Sequence, residues 1–150
     1  MRRGWRVGCL LATLLGALSS AAQAAGDEVL TLFAGIHRIE VEVASTPERR
    51  EVGLMHRAVM PMQHGMLFVF PNASRHCMWM KNTPLPLSVA FLDEAGRIIN
   101  IEEMMPLTEE SHCAAKAARY ALEMNQGWFK ARGLVAGIEL AGIEKAPVGY

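Results

Sequence analysis

Leu85-Pro86-Leu87-Ser88-Val89-Ala90-Phe91-Leu92 runs into Asp93-Glu94-Ala95-Gly96 and returns as Arg97-Ile98-Ile99-Asn100-Ile101-Glu102. Leu85, Leu87, Val89 and Phe91 alternate with Pro86, Ser88, Ala90 and Leu92, which is the two-residue period of a β-strand. The tetrapeptide between the two runs ends in a glycine where positive φ is needed, so the stretch predicts a β-hairpin. Pro84 and Pro86 have no N–H to give to a ladder, which confines the start of the first strand to a sheet edge or a strand beginning.

The same alternation recurs on either side of the hairpin. Val29 to Phe33 and Ile36 to Val43 flank Ala34-Gly35; in the second run Ile39, Val41 and Val43 alternate with Arg38, Glu40 and Glu42. Ser45-Thr46-Pro47-Glu48 begins a short helix, with a hydroxyl to cap free amides and a proline in the first turn, and Gly53 ends it. Gly53 to Pro61 has no period and reads as a loop. Gly65 to Phe70 is apolar on both faces, as in a strand covered twice, and Pro71-Asn72-Ala73-Ser74 signals a turn. A further strand is expected over His76 to Lys81.

Met104 to Ala118 is polar and irregular and predicts a long surface excursion. In the run from Arg119 to Met124, Tyr120, Leu122 and Met124 take the apolar face and Arg119, Ala121 and Glu123 the other. Gly127 to Arg132 is a turn of helix ended by Gly133, and Gly137 to Ile143 a closing strand. Seven or eight short strands without long helices between them predict a mainly β, single-domain antiparallel barrel or jelly-roll-like sandwich, with one or two short helices.

The amino end predicts export. Met1-Arg2-Arg3-Gly4-Trp5-Arg6 is a basic start, Val7 to Leu18 an apolar run, and Ala22-Gln23-Ala24 a small-residue cleavage pattern. Residues 1–24 are thus expected to be a cleaved signal peptide and residues 25–150 one β domain, periplasmic or secreted. A retained anchor is the alternative, although the run is shorter than the roughly 20 residues that cross a bilayer. Removal of residues 1–24 takes three arginines and no acid, leaving 12 basic against 15 acidic residues. A chain with that excess of acid lacks the basic face of a nucleic-acid binder. The remaining cysteines, Cys77 and Cys113, are an even pair in an oxidising compartment, which predicts a disulfide.

Chemistry is densest in Arg75-His76-Cys77-Met78-Trp79-Met80-Lys81-Asn82-Thr83-Pro84. Trp79 offers an apolar floor, Lys81 and Asn82 offer donors, and Thr83 a hydroxyl, the mixture found in ligand sites. Arg50 and Glu123 are candidates for the same patch, with a mutual salt bridge as their alternative. Lys81 to Thr83 read structurally is a strand end whose side chains satisfy neighbouring backbone. No nucleophile elbow, phosphate-cradling glycine loop or dinucleotide fingerprint is present, and His76-Cys77 are strand neighbours that point to opposite faces. No catalytic residue, metal ligand or cofactor is therefore assigned.

Gly53-Leu54-Met55, Gly65-Met66-Leu67-Phe68-Val69-Phe70, Trp79-Met80-Lys81-Asn82-Thr83 and Leu122-Glu123 followed by Gly127 resemble, in order and spacing, the family domain of unknown function 192, from about Val29 to Leu140. The resemblance implies a compact, mostly β domain of barrel or jelly-roll type, often exported, with no established activity. The family commonly has an aspartate where this chain has Ser88, so chemistry that needs that carboxylate is not expected here. The leading functional reading is a non-catalytic binding or accessory module that holds a small molecule or a protein segment near Arg50, Trp79, Lys81, Asn82, Thr83 and Glu123. Two rivals stand beside it: an enzyme of unrecognised type, and a copper-handling protein. The latter rests on eight methionines between Met55 and Met105, interleaved with His56, His64 and His76. Methionine as core filler is its alternative.

Overall fold

The computed structural model describes Met1 and residues 28–150; the apolar run and cleavage pattern lie outside the described residues. The chain forms β1 (Val29–Ala34), β2 (His37–Ala44), helix α1 (Pro47–Val52), β3 (His64–Ser74), β4 (Cys77–Met78), β5 (Leu87–Leu92), β6 (Ile98–Met104), β7 (His112–Cys113), β8 (Ala118–Asn125) and β9 (Leu140–Ala141). Short 3-10 turns follow β8 and β9, at Lys130–Arg132 and Ile143–Lys145. The domain is mainly β, as expected from the alternating runs.

Seven strands make one curled sheet in the order β6-β5-β8-β3-β2-β1-β9. The β5–β6 hairpin turns where its sequence says: the Asp93 carboxylate accepts from the N–H groups of Ala95 and Arg97, and Gly96 takes φ 77°. At the far edge β9 pairs with β1 through Phe33–Ala141 and Ala34–Leu140, and Glu139 bridges to Arg97 just ahead of β6. Backbone bonds from Ile98 to Ile138 and from Gly137 to Ile98 complete the seam. The sheet, a curled half-barrel, thus meets itself at the start of β6 through residues 137–141, and this contact covers that end of its edges.

Leu32, Ile39, Val41, Leu67, Val69, Ala90, Leu92, Leu122, Met124 and Leu140 face one another in the main core, with Trp128 and Phe129 plugging it. A second cluster lies on the opposite face of β3, β5 and β8: Met66, Phe68, Phe70, Leu87, Val89, Phe91 and Ala121, covered by Leu54, Met80, Leu85 and Ala114. Being covered twice explains why all six residues of β5 are buried.

The structure departs from the sequence expectations in four places. β2 and β3 run parallel, because α1 and the loop after it carry the chain back across the sheet; the other neighbours in the sheet are antiparallel. Pro71 to Ser74 does not turn but continues β3 beyond a register shift between Val69 and Ser74, an irregularity that tolerates a proline. The strand expected over His76 to Lys81 is only Cys77–Met78, paired with β7 in a separate two-stranded sheet. The closing strand shrinks to Leu140–Ala141, as Gly142 takes φ 94° and turns the chain away. Glu123 is 3% exposed, since the second cluster covers that side of β8.

The expected disulfide joins Cys77 to Cys113, which sit directly opposite each other in the β4–β7 pair. Gly65, on β3, has an equally definite steric reason. A Cβ there would lie 2.4 Å from the Glu123 carbonyl oxygen and 2.4 Å from the Met124 sulfur. The carbonyl belongs to a strand held between β3 and β5 and has nowhere to move, so Gly65→Ala is expected to cost about 3 kcal/mol. Urea unfolding checks this; an unchanged midpoint would show the two strands freer than the packing implies.

Candidate functional site

The site lies outside the main core, on the face of the sheet covered by α1 and the strand-poor strap from β4 to Leu85. Helix α1 begins where Thr46 Oγ1 accepts from the Arg49 N–H at 3.3 Å and stops at Gly53, whose φ is 47°. A Cβ on Gly53 would come within 3.1 Å of the Phe68 ring, so the glycine lets the helix end close to the sheet. Between the helix end and the strap is a recess of about 30 Å³, lined by Arg50, Gly53, Leu54, Met55, Phe68, Met78, Trp79, Thr83 and Glu123 among others. Room of that size accommodates about two water molecules, or the tip of a larger group.

Glu123 forms the polar part of its floor. Its strand neighbours are Met66 on β3 and Val89 on β5, so apolar side chains surround it. Among the described residues its carboxyl has no hydrogen-bond or ion-pair partner. Burial pushes its pKa up to about 8 from the usual 4.5, because a charge in this setting loses its hydration and gains no counter-ion. At neutral pH the group is mainly a neutral acid and offers one O–H.

Arg50 lines the recess but does not pair with Glu123. Its guanidinium donates to the carbonyls of Ser45 at 2.6 Å and Val69 at 2.9 Å, and to the Tyr150 main-chain oxygen. Partial burial lowers its pKa from the ordinary value, offset in part by Glu48. The arginine therefore fastens the start of α1 to β3 and to the tail.

The Lys81 ammonium sits 5.1 Å from the centre of the Trp79 ring, a cation–π contact, and the indole is 45% exposed. Lys81 and Asn82 do not line the recess; Asn82 is exposed at φ 54°. Thr83 is buried, and its hydroxyl donates to the Lys81 carbonyl at 3.2 Å, leaving its oxygen free to accept. The main chain of this turn holds two other loops: His56 N–H donates to the Asn82 carbonyl at 2.8 Å, and Leu107 N–H to that of Thr83 at 3.1 Å. His56, Asn82 and Leu107 are the three non-glycine residues with positive φ among the described residues, at 63°, 54° and 60°. Each such conformation costs on the order of 1 kcal/mol and persists only where surroundings enforce it.

Of the candidate residues the fold brings Arg50, Trp79, Thr83 and Glu123 to one recess and leaves Lys81 and Asn82 outside it, while Met55, Phe68 and Met78, which the sequence does not single out as candidates, stand on its walls. Two of these stand in the motif strings quoted above, so the signal was there without its geometry. A wider groove of about 450 Å³ runs beside Asp93, Arg97, Lys116 and Gly137. Its Asp93 is already bonded to turn amides and its Arg97 pairs with Glu139 at 2.7 Å, so it lacks the unmet donor that marks the recess. Met66, Met80, Met104 and Met124 are buried in the hydrophobic clusters. The His76 ring stacks on Phe70 at 3.7 Å, and no group of three His, Cys, Asp or Glu gathers among the described residues. Nor, among them, is any helix long and apolar enough to cross a membrane.

Ser88 is fully buried and donates to Glu103 at 2.8 Å while accepting from the Gly127 N–H at 2.8 Å. A hydroxyl and the carboxylate of the neighbouring strand together hold that amide.

A structure from Sinorhizobium meliloti 1021, provisionally named a transcription regulator, is 37% identical, with 78% of this chain and 94% of that one covered and a TM-score of 0.71. A protein of unknown function from Novosphingobium aromaticivorans DSM 12444 is 27% identical, with 83% and 99% covered and a TM-score of 0.72. No curated protein matches the chain. The model of domain of unknown function 192, described as an uncharacterized ACR, matches residues 29–142, and the chain belongs to that family.

Proposed function

We propose that this chain is an exported, non-catalytic binding module, and that it holds a small ligand or a protein segment at the recess between α1 and the Trp79–Thr83 turn. The observation that carries the reading is the Glu123 carboxyl, which has no partner among the described residues, on a side chain 3% exposed that lines an opening beside a half-exposed tryptophan. A carboxyl on a side chain that is 3% exposed has little water to bond, and a ligand that bonds it supplies the missing partner. The strained turns at His56, Asn82 and Leu107 support it as well, because they fix the mouth in one shape. The basic and apolar amino end and the Cys77–Cys113 bond support export. Lys81 and Asn82 contribute through the turn, and Lys81 also through its hold on the indole.

Thermal denaturation against metabolites, glycans and peptides tests the reading. A ligand at about 100 times its Kd adds about 2.7 kcal/mol, a shift on the order of 10 °C in a domain of this size. The expected result is a stabilising compound whose effect disappears in Trp79→Ala. Saturating compounds that leave every midpoint in place would set the reading aside.

A further inference from the structure

Glu123 and Thr83 both line the recess, and they offer an incoming group one donor and one acceptor. The donor is the Glu123 O–H, on a side chain that is 3% exposed, lines the recess and has no partner among the described residues. The acceptor is the Thr83 oxygen, whose own hydrogen is spent on the Lys81 carbonyl at 3.2 Å. Arg50, whose guanidinium is spent on main-chain oxygens, and Glu51 also line it, and the other walls are apolar, with glycine at the helix end. Val52 at 57% exposed and Trp79 at 45% make an apolar rim around the opening.

We infer that the group received in this recess is a carboxamide, its C=O accepting from Glu123 and its N–H donating to Thr83, carried on a ligand whose apolar body lies on Trp79 and Val52. The inference rests on the binding-module reading. Three properties of the site select this chemistry. A carboxylate has only acceptors and leaves the Thr83 oxygen unmatched; an ammonium has only donors and leaves the Glu123 O–H unmatched. A charged group of either sign also has to surrender its hydration to a space where Arg50 is already committed to main-chain oxygens and the carboxyl without a partner among the described residues is a neutral acid, a cost that one hydrogen bond does not return. Further, about 30 Å³ admits the tip of a ligand and not its body. The raised pKa of Glu123 agrees with its donor role. Carboxamides occur both as free small molecules and as the side chains of Asn and Gln, so both sources need separate arms.

The test uses the intact exported domain with its disulfide, followed by ¹H–¹⁵N shifts of Gly53, Leu54 and Thr83. Hexanamide, hexanoate and hexylammonium are titrated at pH 6, together with a capped peptide carrying one Gln and the same peptide with Glu in its place. The expected result is saturable shifts with hexanamide or the Gln peptide, at least tenfold weaker at pH 9.5 in the wild type. Glu123→Gln, which keeps a donor at every pH, should bind equally at both pH values. Binding of the free amide alone or of the peptide alone identifies the source. Saturation by the acid or the amine in preference to the amide overturns the carboxamide inference and leaves the binding module standing. Absence of shifts with every probe also overturns it, and the thermal screen then decides the module separately.

Discussion

Between pH 4 and pH 9 the unfolding free energy of the domain is expected to fall by up to about 5 kcal/mol through Glu123 alone, and this fall should be missing in Glu123→Gln. The ionisation of the group moves from 4.5 in the unfolded chain to about 8 in the folded one, because apolar neighbours replace water around it. Each pH interval of one between those values is worth about 1.4 kcal/mol. A pKa raised by folding means that the folded state holds the proton more tightly. Its stabilising contribution is therefore complete below pH 4.5, shrinks as pH rises, and is gone above 8. Glu42 acts in the opposite window. The hydrogen bonds from Arg57 lower its pKa despite some opposing burial, so its contribution is present above 4.5 and lost as pH falls. Stability should peak near pH 5, between the two. Urea titrations at intervals of one pH unit measure it, and parallel curves for wild type and Glu123→Gln above pH 5 would show that Glu123 is not buried as described.

Replacing Cys77 and Cys113 together by serine is the second large expected effect, a loss of about 4 kcal/mol. The two residues are 36 apart in sequence, and releasing a loop of that length restores roughly that much freedom to the unfolded chain by the chain-entropy model. The folded state should suffer locally too. The bond lies directly before Met78 and Trp79, so it anchors the strap that covers the second hydrophobic cluster and forms one wall of the recess. Urea unfolding with and without reductant reads the stability. Gly53 and Thr83 amide exchange reads the strap, and protection there should drop more than at Leu67 or Leu122 in the main core. Equal midpoints in the oxidised and reduced protein would mean that packing alone holds the strap down.

Most strands were legible because their signals are local. The hairpin announces itself through alternation and Asp93-Glu94-Ala95-Gly96, and α1 through Thr46, Pro47 and Gly53. What depends on distant partners was not legible. The alternation of Tyr120, Leu122 and Met124 correctly gives the interior face of β8, yet whether Glu123 meets water is decided by Leu54, Met80 and Leu85, which arrive from elsewhere in the chain. The parallel β2–β3 pair follows from where the crossover lands, and no residue in either strand encodes it. Arg50 was singled out as a charged group, but it spends that charge on main-chain oxygens, which have no sequence signature. Trp79, Lys81 and Thr83 were visible as a dense string; only the fold shows that Lys81 goes to the indole and Thr83 to the recess.

The seam through residues 137–141 has a consequence for how the molecule matures. β1 waits for β9, and Arg97 for Glu139, so the seam stays unlatched until nearly all of these residues are present together. A chain emerging amino end first, from a ribosome or a translocation pore, has to keep its early hairpin soluble with one flank bare meanwhile. Assembly is then a late, collective event governed by long-range pairing, slow relative to helical proteins and dependent on whatever shields the nascent β1–β2 unit.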